Sequence, residues 1–315
     1  MNSLNVGCGE QSEPHRFAGA MFDVVRFALL TTPYVLLFAV ALLFTDTARA
    51  EISVTDDAGI TLKLAAPAQR IVSLSPHVTE LLYAAGAGDR IIAAVDYSNY
   101  PAAARDLPRI GDAIRIDLER LLMLKPDLII AWGSGTPARE LDGVRRLDLP
   151  LYLSEPRRLD NIGDQLRRFG QLAGTEVIAE SAAVDYERQL ANLRVRYADQ
   201  QRVPVFYQLS QEPLLSVNRQ HIISDVLTLC GAENLFADLP ALTPHLGVEA
   251  VIAAQPAAVI FALYPGESAA DVEAFWAGYG LAGTTRYIGI PGDYIHRPTP
   301  RILEGVERIC SGLAL

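Results

Sequence analysis

Lysine is nearly absent. Lys63 and Lys125 are the only two, against 25 arginines. Covalent chemistry through a lysine amine therefore fits this chain poorly. Positive charge is also in deficit: the formal net charge is −10, which excludes the basic footprint of a nucleic-acid binder. Cysteine is scarce, with three in 315 residues and no CxxC spacing, so neither a zinc ribbon nor a thioredoxin-type redox pair is encoded. There is no GxSxG elbow, P-loop, HExxH pair, or GxGxxG after the first strand. What is present in quantity is apolar: 50% of residues are hydrophobic and 20% charged, enough for a sizeable core and against intrinsic disorder. The length suggests about two ordinary domains.

Before the fold begins, residues 27–44 form an uncharged apolar run, preceded by Arg26 and followed by Ala48-Arg49-Ala50. A basic flank, an apolar segment and an A-x-A site describe a secretory signal peptide, cleaved between Ala50 and Glu51. An uncleaved anchor is the competing reading, since about 18 apolar residues can just span a bilayer. Residues 1–20 are polar and precede Met21, which would start a signal of ordinary length; 1–20 are read as a mis-assigned extension. Removal of 1–50 takes away Cys8 and leaves Cys230 and Cys310, either as a disulfide or as two buried thiols.

From Arg70 onward, short apolar runs alternate with helical patterns. Ile71–Leu74, Ile91–Val95, Leu128–Trp132 and Leu151–Leu153 read as strands. Ser75 as N-cap and Pro76 at the first helical position open one helix, and Asp117–Lys125 forms another. Strands separated by helices imply parallel βαβ units. Residues 175–200 lack Gly and Pro and read as one helix of about 25 residues, roughly 38 Å long. Val203–Leu209 then restarts the strand pattern. Helices follow around Ile222–Cys230 and Val248–Ala254, then a strand at Ala258–Leu263, a helix at Ala270–Tyr279 and a last helix from about Pro300. The organisation expected is an α/β lobe over 51–173, a helix over 174–200 and a second α/β lobe over 201–315.

A weak internal repeat supports two lobes. Glu119 and Pro126, and Glu249 and Pro256, are spaced alike, each pair flanking apolar residues and leading into a strand. A carboxylate in a first helical turn also meets the helix dipole favourably, which explains either glutamate alone. Their matched placement points to a partner with twofold symmetry. Aromatic residues fall at strand ends: Tyr97 and Tyr100 after the second strand, Trp132 at the end of the third, and Tyr294 after the last strand of the second lobe. Loops at one edge of two sheets face a shared cleft, where aromatics with a few polar groups suit a large, partly apolar small molecule. Gly133-Ser134-Gly135 reads as a turn, with approach to a ligand as the rival.

Taken together, these segments resemble the periplasmic cobalamin-binding proteins of ABC importers and, more broadly, the binding proteins for haem and iron siderophores. The matching pieces are 70–76 with Thr79-Glu80, 97–101, Leu118-Glu119 through Trp132, 230–236, Glu249 with Pro256, and Arg297 through Arg301 to Cys310. The resemblance implies two Rossmann-like α/β lobes joined by one long rigid α-helix, with the ligand in the cleft between them. It implies that Tyr97 contacts cobalamin from the first lobe and the loop Asp293, Tyr294, Ile295, His296 and Arg297 from the second, with Tyr100 and Trp132 nearby. It implies a Cys230–Cys310 disulfide, and docking of Glu119 and Glu249 onto arginines of the inner-membrane permease dimer.

The chain departs from the pattern at four places. Ala113 and Thr243 stand where the close cobalamin binders carry tryptophans, and Tyr294 and His296 stand for a tryptophan and a glutamate. His296 is read as a solvated loop residue, with contact to a ligand's metal centre as the rival. The reading is thus an exported, monomeric, non-catalytic binding protein that captures a corrinoid and delivers it to an importer, with no resident cofactor or metal and no nucleic-acid partner. Haem or a ferric siderophore in the same cleft is the alternative. A periplasmic enzyme would have to use Ser75, His77, Asp293 or His296.

Overall fold

The computed structural model describes residues 51–314 apart from 113, 282 and 284. The export segment 1–50, with its Met21 start, and Ala113 lie outside the described residues. A small antiparallel hairpin, β1 (Ile52–Thr55) and β2 (Thr61–Leu64), precedes the first lobe. The sequence reading had no element there. Its turn is closed by Asp56, whose Oδ1 accepts from the Ala58 and Ile60 amides at 3.0 and 2.8 Å.

The first lobe holds β3 (Ile71–Ser73), β4 (Ile91–Ala94), β5 (Leu128–Trp132) and β6 (Leu151–Ser154). They form an all-parallel sheet in the order β4-β3-β5-β6. The second lobe holds β7 (Val203–Gln208), β8 (Ala232–Asn234), β9 (Ala258–Leu263) and β10 (Arg286–Pro291), again all parallel, in the order β10-β9-β7-β8. Read from its second strand, each lobe has the same order: second, first, third, fourth. The repeat suspected from two glutamates is therefore a repeat of topology. Both central strands of each sheet are nearly continuous apolar runs because helices cover both faces.

Between the sheets runs the helix Glu176–Arg196, about 32 Å long at 1.5 Å per residue. Ala179, Ala183, Tyr186, Leu190 and Leu193 are its buried residues, spaced four and three apart along one stripe. The stripe packs on the helix Asp160–Ala173, which ends at Gly174 in the left-handed conformation (φ 64°). The two helices approach closely at Gly170, where a Cβ would lie 2.4 Å from that of Ala179. The expected helix over 175–200 is thus shorter at its end. Arg194 and Arg196 in its last turn pair with Asp160 and Glu307 on neighbouring helices, and the chain turns immediately afterwards with no Gly or Pro to signal it.

One continuous core joins the lobes through this helix. It includes Ile71 and Leu81 from the first lobe, Tyr186 and Leu190 from the helix, and Tyr207, Ile260 and Val306 from the second. Two smaller cores cover the outer face of each sheet, one around Ile129 and Val144, the other around Phe261 and Trp276. Cys230 and Cys310 form a disulfide that ties the end of the helix Ile222–Leu229 to the last helix, Ile302–Ala314. They are 80 residues apart in the chain, so the bond closes most of the second lobe into a loop. Replacing both cysteines with alanine is expected to lower the unfolding free energy by about 4 kcal/mol. Urea denaturation of the two forms checks this; equal midpoints would show that the bond is dispensable.

Candidate functional site

The carboxyl ends of the strands of both sheets open on one cleft of about 990 Å³. That size is at the upper end of the ~300–1,000 Å³ typical of small-molecule sites. In the first lobe the wall is built by the turns after β3 and β5, on either side of the point where the strand order reverses, the usual position of a ligand site in an open α/β sheet. Leu74, Ser75, Pro76 and His77 come from the first turn, and Trp132, Gly135 and Thr136 from the second. Pro76 opens the helix Pro76–Ala84 as expected, but Ser75 does not cap it with its side chain. Its Oγ instead lies 2.7 Å from His77 Nδ1.

His77 is buried and meets the Trp132 indole edge-on, with ring centroids 5.2 Å apart. Its Nε2 lies 3.5 Å from Ser154 Oγ, which accepts from Gln165 Nε2 at 3.2 Å. The Gln165 amide also donates to Asp57 of the N-terminal hairpin. A polar chain thus runs from the cleft floor to the back of the lobe, and Arg168 pairs with Asp57 at its far end. Among the described residues no carboxylate bonds to Ser75 or His77, unlike a hydrolytic triad. Gly133-Ser134-Gly135 is a turn, held by the Ser134 amide and hydroxyl donating to Glu155. It also reaches the cleft: the Trp132 ring packs where a Cβ on Gly135 would lie, 1.9 Å away.

Tyr97 and Asn99 line the cleft from the loop after β4. Tyr97 is 75% exposed and adopts φ 64°, an unusual conformation for a bulky residue. Tyr100 is placed differently. Its ring packs beneath the Arg301 guanidinium, 3.8 Å from ring centroid to Cζ, and it is not among the lining residues.

The second-lobe wall comes from the ends of β9 and β10. Leu263, Tyr264 and Pro265 follow the first, and Pro291 through Tyr294 the second. The short helix Gly292–Ile295 turns Asp293 and Tyr294 to the cleft. Ile295 points the other way: it is 1% exposed and packs in the shared core, so the structure removes it from the expected contact set. His296 is also corrected. It is no solvated loop residue, because Tyr207 Oη lies 2.8 Å from its Nε2 and Tyr264 Oη 2.6 Å from its Nδ1. With both nitrogens engaged, it has no lone pair free to meet a metal centre. Burial pushes its pKa down to about 4. Of the positions noted for missing tryptophans, Thr243 is exposed and outside the lining.

The strongest electrostatic feature joins the lobes. Glu80, buried on the helix Pro76–Ala84, accepts from Arg297 Nη1 at 2.7 Å and Arg301 Nη2 at 2.6 Å through Oε1. Its Oε2 accepts from Arg301 Nε at 3.0 Å and Thr299 Oγ1 at 3.1 Å. Arg297 also donates to Asn99 Oδ1 at 2.8 Å and to the Tyr97 carbonyl at 3.1 Å, and pairs with Asp293 at 2.7 Å. The loop carrying Tyr97 in the first lobe is therefore fastened by an arginine of the second.

A family model described as periplasmic binding protein matches residues 71–275. The chain belongs to the periplasmic binding protein family. It is 37% identical over 249 residues to the vitamin B12-binding protein of Vibrio cholerae serotype O1, covering 79% of this chain and 90% of that one. The crystal structure of the periplasmic vitamin B12 binding protein BtuF of Vibrio cholerae superposes with a TM-score of 0.69 at 36% identity, over 79% of this chain and 97% of that one. The periplasmic heme-binding protein RhuT from Roseiflexus sp. RS-1, in apo form, gives a TM-score of 0.65 at 25% identity, over 78% of this chain and 97% of that one. As a member of this family the chain is a binding protein, and the enzyme reading of Ser75 and His77 falls.

Several members of the site escaped the sequence reading. Tyr264 follows β9 as Trp132 ends β5, and the same strand-end rule would have found it. Glu80 and Tyr207 carry no such signal, since only the folded chain brings them to Arg297 and His296.

Three histidines near the site are held neutral by burial. His77 is pushed down to about 3, aided by the nearby Arg297 charge, and His221 to about 4, aided by His296 and Arg157. With His296 they take up protons near pH 6.5 only when unfolded, so the unfolded state binds more protons between about pH 6.5 and about pH 4. Stability is expected to fall as pH is lowered through that window and to be insensitive to these groups above it. Thermal unfolding followed from about pH 7 down to about pH 4 checks this. Replacing His296 with glutamine should flatten part of the slope.

Proposed function

We propose that this periplasmic binding protein captures vitamin B12 or a related corrinoid in the interlobe cleft and delivers it to an inner-membrane ABC importer. The observation that carries the reading is a large cleft with aromatic walls, Trp132 and Tyr97 on one side and Tyr264 and Tyr294 on the other. It occurs in a chain 37% identical to a vitamin B12-binding protein. Aromatic faces suit a flat, partly apolar macrocycle, and scattered hydroxyls and amides suit its polar periphery. Residues 21–50 serve as its export signal, with 1–20 as a mis-assigned extension before it.

Delivery requires a docking surface. Glu119 and Glu249 are exposed in the first turns of the helices Leu118–Met123 and Val248–Ala254. Those helices precede β5 and β9, the third strands of two sheets with one topology. Each is followed within two residues by a positive-φ residue before a proline: Lys125 then Pro126, Gln255 then Pro256 (φ 47° at both). The glutamates thus occupy equivalent corners and suit two equivalent basic patches on a permease dimer. Rim charges of this kind mainly set encounter rate and orientation.

Titration calorimetry of the purified protein is expected to show tight one-to-one binding of cyanocobalamin. Folded protein that ignores cyanocobalamin but binds haemin would overturn the ligand assignment. Tyr97→Ala should weaken cobalamin binding by about tenfold or more while leaving thermal stability nearly unchanged, since the ring is mostly exposed. Charge reversal at both Glu119 and Glu249 should abolish transport into reconstituted vesicles and spare ligand binding. Undiminished transport by the double variant would sink the docking assignment.

A further inference from the structure

The charges bordering the cleft form a set of four. Arg297 and Arg301 lie on the wall with Asp293, and Glu80 backs them from the opposite lobe. Two cations meet two carboxylates, so the set is electroneutral. Among the described residues no other Asp, Glu, Lys or Arg lines the cleft. The remaining polar groups there are uncharged: the hydroxyls of Ser75, Thr136, Tyr97, Tyr264 and Tyr294, the Asn99 amide and two neutral histidines. Both arginines are also engaged as donors, Arg301 through its Nε and Nη2. The terminal nitrogens of Arg297 serve Glu80, Asn99, the Tyr97 carbonyl and Asp293. Arg301 grips both oxygens of Glu80 and is covered on one face by Tyr100.

We propose that Glu80 and Asp293 determine ligand specificity: by neutralising Arg297 and Arg301 they make the cleft select a macrocycle with an uncharged, amide-bearing periphery and reject one that bears carboxylates. The inference rests on the corrinoid reading above and adds its chemical basis. A carboxylate entering the cleft loses hydration and finds no uncompensated cation, so its transfer is strongly unfavourable. A primary amide loses less hydration and meets neutral donors and acceptors. Haem presents carboxylates at its edge, whereas the corrin ring of a cobalamin presents amides and carries its one phosphate away from the ring edge, on the nucleotide loop. The arrangement therefore discriminates by penalising the wrong ligand as well as by fitting the right one.

The test compares two corrinoids that differ only in peripheral amide against carboxylate, with haemin as a second carboxylate-bearing macrocycle. The purified protein is titrated with cyanocobalamin, with its derivative whose peripheral propionamides are hydrolysed to carboxylates, and with haemin. The carboxylate derivative should bind about 100-fold more weakly than cyanocobalamin, and haemin more weakly still. Asp293→Asn and Glu80→Gln should each narrow the gap between the two corrinoids by about tenfold. Because Glu80 also joins the lobes, Asp293→Asn at the rim, shown to be folded by circular dichroism, carries the test if Glu80→Gln does not fold. Wild-type binding of both corrinoids within about threefold overturns the inference and leaves the corrinoid reading standing. An unchanged ratio in folded Asp293→Asn does the same. Folded wild type that binds neither corrinoid overturns the corrinoid reading itself.

Discussion

A buried carboxylate is tolerated only when its lone pairs and its charge are both answered, and Glu80 is answered entirely from the other lobe. Arg297, Arg301 and Thr299 supply every side-chain partner recorded for it. Separating the lobes would strand Glu80 in the first and Arg301 in the second, while Arg297 would keep Asp293 alone. Breaking one partner of such a buried arrangement typically costs about 3–5 kcal/mol. The same constraint reaches the ligand wall, because Arg297 continues to the Tyr97 carbonyl and Asn99. The left-handed backbone at Tyr97 is thereby held by a contact that exists only when the lobes are together.

The shared core works in the same direction. A sheet in each lobe gives its inner face to one apolar cluster that passes through the helix Glu176–Arg196. The helix is thus a structural member common to both lobes, with its buried stripe locked against Asp160–Ala173. Hinges that open widely are made of segments able to change backbone angles without losing packing. Here the connection is a packed helix, and an ion cluster beside the cleft joins the lobes.

Much of this was legible because parallel strands buried on both faces leave dense apolar runs. β5 was read to the residue, and β9 as well, while β3, β4 and β6 differ by one residue at their ends. The end of the long helix was not legible, because it is set by Arg194 and Arg196 pairing with residues distant in sequence. Ile295 was misread because a loop was expected where four residues form a helical turn, which rotates successive side chains to opposite sides. His296 has polar, charged neighbours in sequence, yet its spatial neighbours are two tyrosine hydroxyls from β7 and the end of β9. The N-terminal hairpin was missed because its alternating exposed residues leave little apolar signal.

The continuous core bears on the delivery proposed above. A rim anchored on one packed body would keep Glu119 and Glu249, the two corners proposed for docking, at nearly the same separation whether the cleft is full or empty. Occupancy is then not advertised by shape at those corners. On the docking proposed above, unloaded copies would compete with loaded ones for the same landing place, and net uptake would become a question of traffic: how quickly an empty carrier leaves, set against how many full ones are waiting.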